Sequence, residues 1–189
     1  KGDVIGIVGK TGSGKSTLID LIVGLIKATE GKILINEQKI SDLKESWKEI
    51  IGYVPQETFM LNDSIKENVV FMSKKEIDEN YLEYCLKASK VYDFLENKLD
   101  TVIGEKGITL SGGQKQRIGI ARALYKKPQI IIFDEATNAL DESTEKSILN
   151  SIYKLRNSKT MILISHNRAI LKECDKIFEI NNKKLLQIK

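Results

Sequence analysis

A chain of 189 residues with 30 Lys and Arg against 26 Asp and Glu carries a formal net charge of +4, too modest and too interleaved for a nucleic-acid stripe. No apolar run approaches the ~20 residues that span a bilayer, and no signal-peptide pattern appears. The length is that of one domain able to bury a proper core, and Cys85 and Cys174, far apart and without C-x-x-C spacing, read as reduced, half-buried thiols of a cytosolic protein rather than a disulfide or metal pair.

The basic residues form only short pairs such as Lys74-Lys75, Lys126-Lys127 and Lys183-Lys184, a pattern of solvated faces. His166 is the single histidine, which makes its position informative. The chain opens at Lys1-Gly2-Asp3 without a methionine, just before its first strand, and is read as a piece cut from a longer polypeptide.

Val4 to Val8 is apolar without alternation, the mark of a buried parallel strand. It leads into Gly9-Lys10-Thr11-Gly12-Ser13-Gly14-Lys15-Ser16-Thr17 and a helix from Lys15 to about Ile26. The pattern G-x-x-x-x-G-K-[ST] between a strand and a helix is a phosphate-binding loop. Its glycines let successive N–H groups point at phosphate oxygens, and the helix dipole adds positive potential there. Lys15 then reaches the β- and γ-phosphates, and the Ser16 hydroxyl ligates Mg²⁺. A nucleoside triphosphate site is the expectation.

Lys32-Ile33-Leu34-Ile35-Asn36 predicts a short strand, Leu43 to Glu49 a helical turn that packs through Trp47, and Ile51-Gly52-Tyr53-Val54 a strand stopped by Pro55. Gln56 lies where that strand leaves the sheet, the place where open α/β sheets bind ligands, and its amide can ligate Mg²⁺ or orient water. From Ser64 to about Lys98 the period is helical. Tyr81, Leu82, Cys85 and Leu86 share one face, and Val91, Phe94 and Leu95 continue on another short helix. Asp100 to Gly107 is a polar loop running into Ile108-Thr109-Leu110-Ser111-Gly112-Gly113-Gln114. A helix follows from Gly113 to about Tyr125, with Ile118, Ala121 and Leu124 on its apolar side. Ser111 before two glycines offers a hydroxyl and bare N–H groups, a second anion site.

Ile130-Ile131-Ile132-Phe133-Asp134-Glu135 predicts a buried strand ending in two carboxylates, which are costly there unless they serve a charge. Asp134 fits an Mg²⁺-holding aspartate, and Glu135 is placed to polarise an attacking water. Asp141, after Ala139-Leu140, can cap a helix from Glu142 to Arg156. Thr160 to Ile164 is a further buried strand that delivers Ser165 and His166 at its carboxyl end, where the imidazole can meet a γ-phosphate. Asp175 to Ile180 and Lys184 to Ile188, either side of Asn181-Asn182-Lys183, form a closing hairpin.

Taken in order, Gly9–Thr17, Gln56, Leu110-Ser111-Gly112-Gly113-Gln114, Ile131-Ile132-Phe133-Asp134-Glu135, Ala139-Leu140-Asp141 and His166 resemble the nucleotide-binding domain of an ABC transporter over essentially the whole chain. They match its phosphate loop, Q-loop, signature, Walker B strand, D-loop and switch histidine. The resemblance implies an α/β P-loop NTPase fold, with a mostly parallel core sheet flanked by helices and a helical subdomain carrying the signature. The RecA-like core would be residues 1–56 and 115–189, and the helical subdomain about 57–114. ATP and Mg²⁺ are the implied cofactors, with Ser16, Gln56 and Asp134 at the metal and Glu135 and His166 catalytic. Ser111, Gly112, Gly113 and Gln114 would face the nucleotide of a second such domain in a head-to-tail dimer.

Thr101-Val102-Ile103-Gly104-Glu105-Lys106-Gly107 looks like the X-loop of exporter-type domains. Pro55 to Asn68 looks like their Q-loop, with Phe59, Met60 and Leu61 facing a membrane domain. An exporter or flippase implies coupling helices of a transmembrane domain on the same polypeptide, a place at the cytoplasmic face of the inner membrane, and no nucleic-acid partner. Asn167-Arg168 after His166 and Asn138 before Ala139 depart from the family's more usual Arg-Leu and Ser, and neither is expected to touch the chemistry. The family's N-terminal β-subdomain, with the aromatic that stacks on adenine, is expected to be missing. An importer ATPase subunit, or a soluble ABC-type ATPase acting on DNA or ribosomes, remains the alternative. Its marks would be a long coiled coil, a second cassette or a strongly basic face, and none is visible. A non-enzymatic module with a degenerate site is disfavoured, because no expected catalytic residue is substituted.

Overall fold

A computed structural model of the chain describes residues 1–35, 37–71, 76–95, 99–104, 109–166 and 168–189. The expectations that fall on Asn36, Lys74-Lys75, residues 96–98, Glu105-Lys106-Gly107, Ile108 and Asn167 lie outside these. In chain order the first elements are β1 (Val4–Gly9), α1 (Lys15–Val23), β2 (Leu34–Ile35), β3 (Gln38–Lys39), α2 (Ile40–Glu49), β4 (Ile51–Val54), α3 (Ile65–Val70) and α4 (Glu79–Ala88). There follow α5 (Tyr92–Leu95), α6 (Gly112–Tyr125), β5 (Ile130–Asp134), α7 (Glu142–Tyr153), β6 (Thr160–Ile164), α8 (Arg168–Leu171), β7 (Lys176–Asn181) and β8 (Lys184–Gln187). The chain divides into two compact units. One comprises Lys1–Tyr53, Pro128–Asp134 and Asn157–Lys189, and the other Val54–Lys127 and Glu135–Arg156.

The first unit is built on a six-stranded sheet in the order β4-β5-β6-β1-β7-β8. Runs of Val, Ile, Leu and Met make its central strands apolar on both faces, as a covered parallel sheet requires. β1 pairs in parallel with β6 and β7, β5 pairs in parallel with β6, and β8 returns antiparallel along β7. Ile7 and Asp134 both lie opposite Ile164, and Gly9 lies opposite Ile180, so four strands end along one edge of the sheet. Ile19 and Val23 of α1 pack with Ile7, Ile132, Ile164 and Trp47. Each such side chain taken out of water contributes about 1.5–3 kcal/mol. Trp47 is buried, as expected, and its indole N–H donates to the Ile22 carbonyl at 2.6 Å.

Two elements in this unit differ from the sequence expectation. Helix α1 stops at Val23 rather than near Ile26, because Gly24 turns left-handed (φ 77°). The N–H groups of Gly24 and Leu25 then fold back on the carbonyls of Leu21 and Asp20, an ending that leaves Leu25 and Ile26 exposed. The single strand expected at 32–36 is instead one arm of a separate antiparallel pair, β2 with β3, turned through Glu37 at φ 68°.

The second unit is helical, with α3 and α4 packed on α6. Ile118, Ala121 and Leu124 form the expected apolar side of α6, and Leu82, Cys85 and Leu86 are buried on α4. Helix starts are capped by Ser64, Asp78, Ser111 and Asp141, each accepting a backbone N–H of its own first turn. Cys85 and Cys174 are fully rather than half buried, and neither forms a disulfide.

Candidate active site

At the end of β1 the chain folds back through a turn in which Ser13 N–H donates to the Lys10 carbonyl at 3.1 Å. Gly12 and Gly14 adopt φ 77° and 105°, values that L side chains rarely take. Gly14 occupies the N-cap of α1 and supplies no side-chain cap, which leaves the helix start open to an anion. Lys15 is buried, and its ammonium donates to the carbonyls of Gly9 at 3.0 Å and Lys10 at 3.1 Å. Ser16 and Thr17 are exposed. The Ser13 hydroxyl is a buried polar group without a hydrogen-bond partner among the described residues. Beside the loop, a hollow of about 350 Å³ is lined by Lys10 to Ser13 and by Glu179 to Lys183 of the β7–β8 hairpin.

The parallel register brings other candidates to the same edge of this unit. Asp134 ends β5 one strand away from Ile164, which is followed by buried Ser165 and exposed His166. Asp134 is itself buried, and its Oδ2 accepts the Tyr53 hydroxyl at 3.2 Å. Burial first, and the Asp134 charge next, raise the Tyr53 phenol well above its ordinary pKa.

The remaining candidates belong to the second unit. Gln56 is exposed, and its backbone carbonyl accepts the Gln116 side-chain amide at 3.1 Å. Ser111 and Gln114 form a reciprocal capping box. Ser111 Oγ accepts the Gln114 N–H at 3.2 Å, and Gln114 Oε1 accepts the Ser111 N–H at 2.8 Å. The expected strand through Glu135 ends one residue early: Glu135 turns left-handed at φ 50°, and its Oε2 accepts the Asn138 side-chain amide at 2.9 Å.

A model of the ABC transporter family matches residues 1–138. The chain belongs to that family. The matched stretch contains the phosphate loop, Gln56, Ser111 to Gln114, Asp134 and Glu135, and the mixed α/β core with its mostly parallel sheet is that of an ABC ATPase. Among ABC relatives, a Rickettsia typhi protein named as an export ATP-binding/permease protein is 42% identical over 186 residues, 96% of this chain and 32% of that protein. The alpha-hemolysin translocation ATP-binding protein HlyB of Escherichia coli O157:H7 is 41% identical over 186 residues, 96% of this chain and 26% of HlyB. A solved structure of a bacterial Atm1-family ABC exporter with ATP bound matches at a TM-score of 0.90 and 35% identity, covering 97% of this chain and 33% of that one. The chain thus spans about a quarter to a third of the length of these relatives.

Three residues of this ABC domain that touch the candidate set were not singled out for it from sequence. Tyr53 is the one hydroxyl-bearing residue in an otherwise apolar strand, a signal that it seeks a polar partner. Asn138, expected to leave the chemistry untouched, in fact holds the Glu135 carboxylate across a turn, at an i, i+3 spacing that was open to notice. Gln116 lies four residues before Ile120 on the buried side of α6, where an amide must find partners.

Proposed function

We propose that this chain is the ATP-binding and ATP-hydrolysing domain of a membrane exporter, acting as a head-to-tail pair with a second such domain. Lys15 carries the reading. Its ammonium sits buried behind a glycine loop on the Gly9 and Lys10 carbonyls, next to the uncapped start of α1. Those bonds use two of its three donors, and the third is free to meet a β- or γ-phosphate oxygen. The buried, unpartnered Ser13 hydroxyl supports an oxyanion in the same loop.

The donor set suits Mg²⁺. The Ser16 hydroxyl, the Gln56 amide and the Asp134 carboxylate are hard oxygen donors. No cluster of three His, Cys, Asp or Glu forms a dedicated metal cage among the described residues. When bound, Mg²⁺ would neutralise phosphate charge. Glu135 takes the proton of the attacking water, and His166 donates to a γ-phosphate oxygen. The Ser111 hydroxyl and the N–H groups of Gly112 and Gly113 meet the nucleotide held by the second domain. ATP thereby ties the pair together, and hydrolysis releases it. Gln114, whose side chain is engaged in the cap, holds Ser111 in place for that contact.

Phe59, 71% exposed, and Val102, 44% exposed, give the second unit an apolar surface for the coupling helices of a transmembrane domain. No helix among the described residues is long and apolar enough to cross a membrane. The name of the Rickettsia typhi relative joins ATP-binding and permease in one protein, which supports a membrane domain on the same polypeptide and a place at the cytoplasmic face of the membrane. In the natural full-length polypeptide, Glu135→Gln should still bind ATP but turn over about 10²- to 10⁴-fold more slowly. Near-normal hydrolysis by that variant would overturn the role of Glu135.

A further inference from the structure

We propose that Gln116 is a positioning residue that locks the segment after β4 and the segment before α7 into one register on α6; the inference rests on the ATPase reading for its consequence but not for its geometry. Gln116 is buried, 4% exposed, and both ends of its amide are used. Nε2 donates to the Gln56 carbonyl at 3.1 Å, while Oε1 accepts the Ala139 N–H at 3.2 Å. One side chain therefore joins the residue proposed as an Mg²⁺ ligand to the Ala139-Leu140-Asp141 segment, 23 residues further along the chain than Gln116 itself. An amide suits this, since it donates and accepts at two atoms of one rigid plane, whereas a carboxylate only accepts and an ammonium only donates.

The bridge is one of three attachments at three-residue intervals on α6, positions that share a helix face. At Gly119 the helix lies so close to Thr58 that a Cβ would fall 2.6 Å from its Oγ1. At Arg122 a guanidinium nitrogen, Nη1, donates to the Phe59 carbonyl at 3.0 Å. Gln56, Thr58 and Phe59 are thus seated along the helix whose first turn is capped by Ser111. Gly119 and Arg122 hold only the first of the two segments in these contacts. Gln116 holds both, so a shift of Gln56 is passed to Ala139 and to the helix between them. With the Gln116 side chain itself buried, a lost partner leaves one end of its amide unsatisfied.

The test uses the natural full-length polypeptide with Gln116→Met, which keeps length and loses both bonds, and Gln116→Glu, which keeps the acceptor for Ala139 N–H but sets a carboxylate against the Gln56 carbonyl. Two readouts are taken: hydrogen exchange at the Ala139 amide, and the kcat and KM for ATP. For Gln116→Met, exchange at Ala139 should quicken about tenfold and kcat should fall about tenfold, with KM within about twofold of wild type. Gln116→Glu should keep the Ala139 protection and still lose kcat. Wild-type protection at Ala139 in Gln116→Met, or wild-type kcat in either variant, would overturn the proposal. Should Gln116→Met fail to fold, Gln116→Glu alone decides through its kcat. A wild-type protein without ATP turnover would sink the ATPase reading and not the bridge, which the exchange measurement still judges.

Discussion

The Asn138 side-chain amide donates to Glu135 Oε2 at 2.9 Å, and the Asn138 backbone N–H donates to the Glu135 carbonyl at 3.2 Å. The residue that departs from the family's usual serine thus clasps the carboxylate proposed to activate water. The turn that makes this possible begins with the left-handed conformation of Glu135 itself (φ 50°). A non-glycine residue held there costs about 1–3 kcal/mol and persists only where neighbouring contacts fix it.

Asn138→Ala removes the side-chain donor and leaves the backbone bond. Turnover should fall by up to about tenfold, with the KM for ATP within about twofold, because one charge-assisted hydrogen bond orients the carboxylate and does not bind nucleotide. Steady-state kinetics on the full-length polypeptide check this. An unchanged kcat would mean that Glu135 keeps its orientation without Asn138.

Gly119→Ala should destabilise the protein by about 1–3 kcal/mol, since the new methyl would sit 2.6 Å from Thr58 Oγ1 and 2.7 Å from its Cγ2. The Thr58 hydroxyl is buried without a hydrogen-bond partner among the described residues, so trimming it forfeits no bond there. Adding Thr58→Ala should therefore recover most of the loss, a coupling that denaturant melts of the two single variants and the double variant would measure. Strictly additive losses would contradict the close approach.

Asp141 gives a pH dependence with a definite sign. Hydrogen bonds from Ser143 and Thr144 hold its carboxyl below the ordinary carboxylate pKa. A group depressed in the folded state contributes its stability in full above its unfolded pKa, about 3.9, and loses it as the pH falls through the folded value. The start of α7 should therefore stay capped at neutral pH and fray only below about pH 4. Amide exchange at Thr144 followed across an acid series checks this, and protection lost already near pH 6 would contradict it.

The phosphate loop was legible because it is local: nine consecutive residues carry the turn, the lysine and the helix start. The strands at Val4, Ile130 and Thr160 were legible as unbroken apolar runs, and the cap at Asp141 as a short-range pattern. Periodicity could not show the left-handed turn at Gly24, which ends α1 inside apolar sequence that would otherwise continue, or the one at Glu135, which ends β5 one residue early. Nor could it show pairings across long separations, such as Tyr53 with Asp134 over 81 residues or Gln116 with Gln56 over 60. Those contacts exist only once the sheet order and the packing on α6 bring the partners together. For the same reason the family resemblance located the candidate residues but not the side chains that hold them in place.

The most direct measurement is MgATP hydrolysis by the natural full-length polypeptide in lipid, with Lys15→Ala beside the wild type. Saturable turnover in the wild type, and loss of both nucleotide binding and turnover when the Lys15 ammonium is removed, is the result predicted from its seat on the Gly9 and Lys10 carbonyls. Undiminished hydrolysis in Lys15→Ala, or a wild-type protein that binds no ATP, would contradict the account.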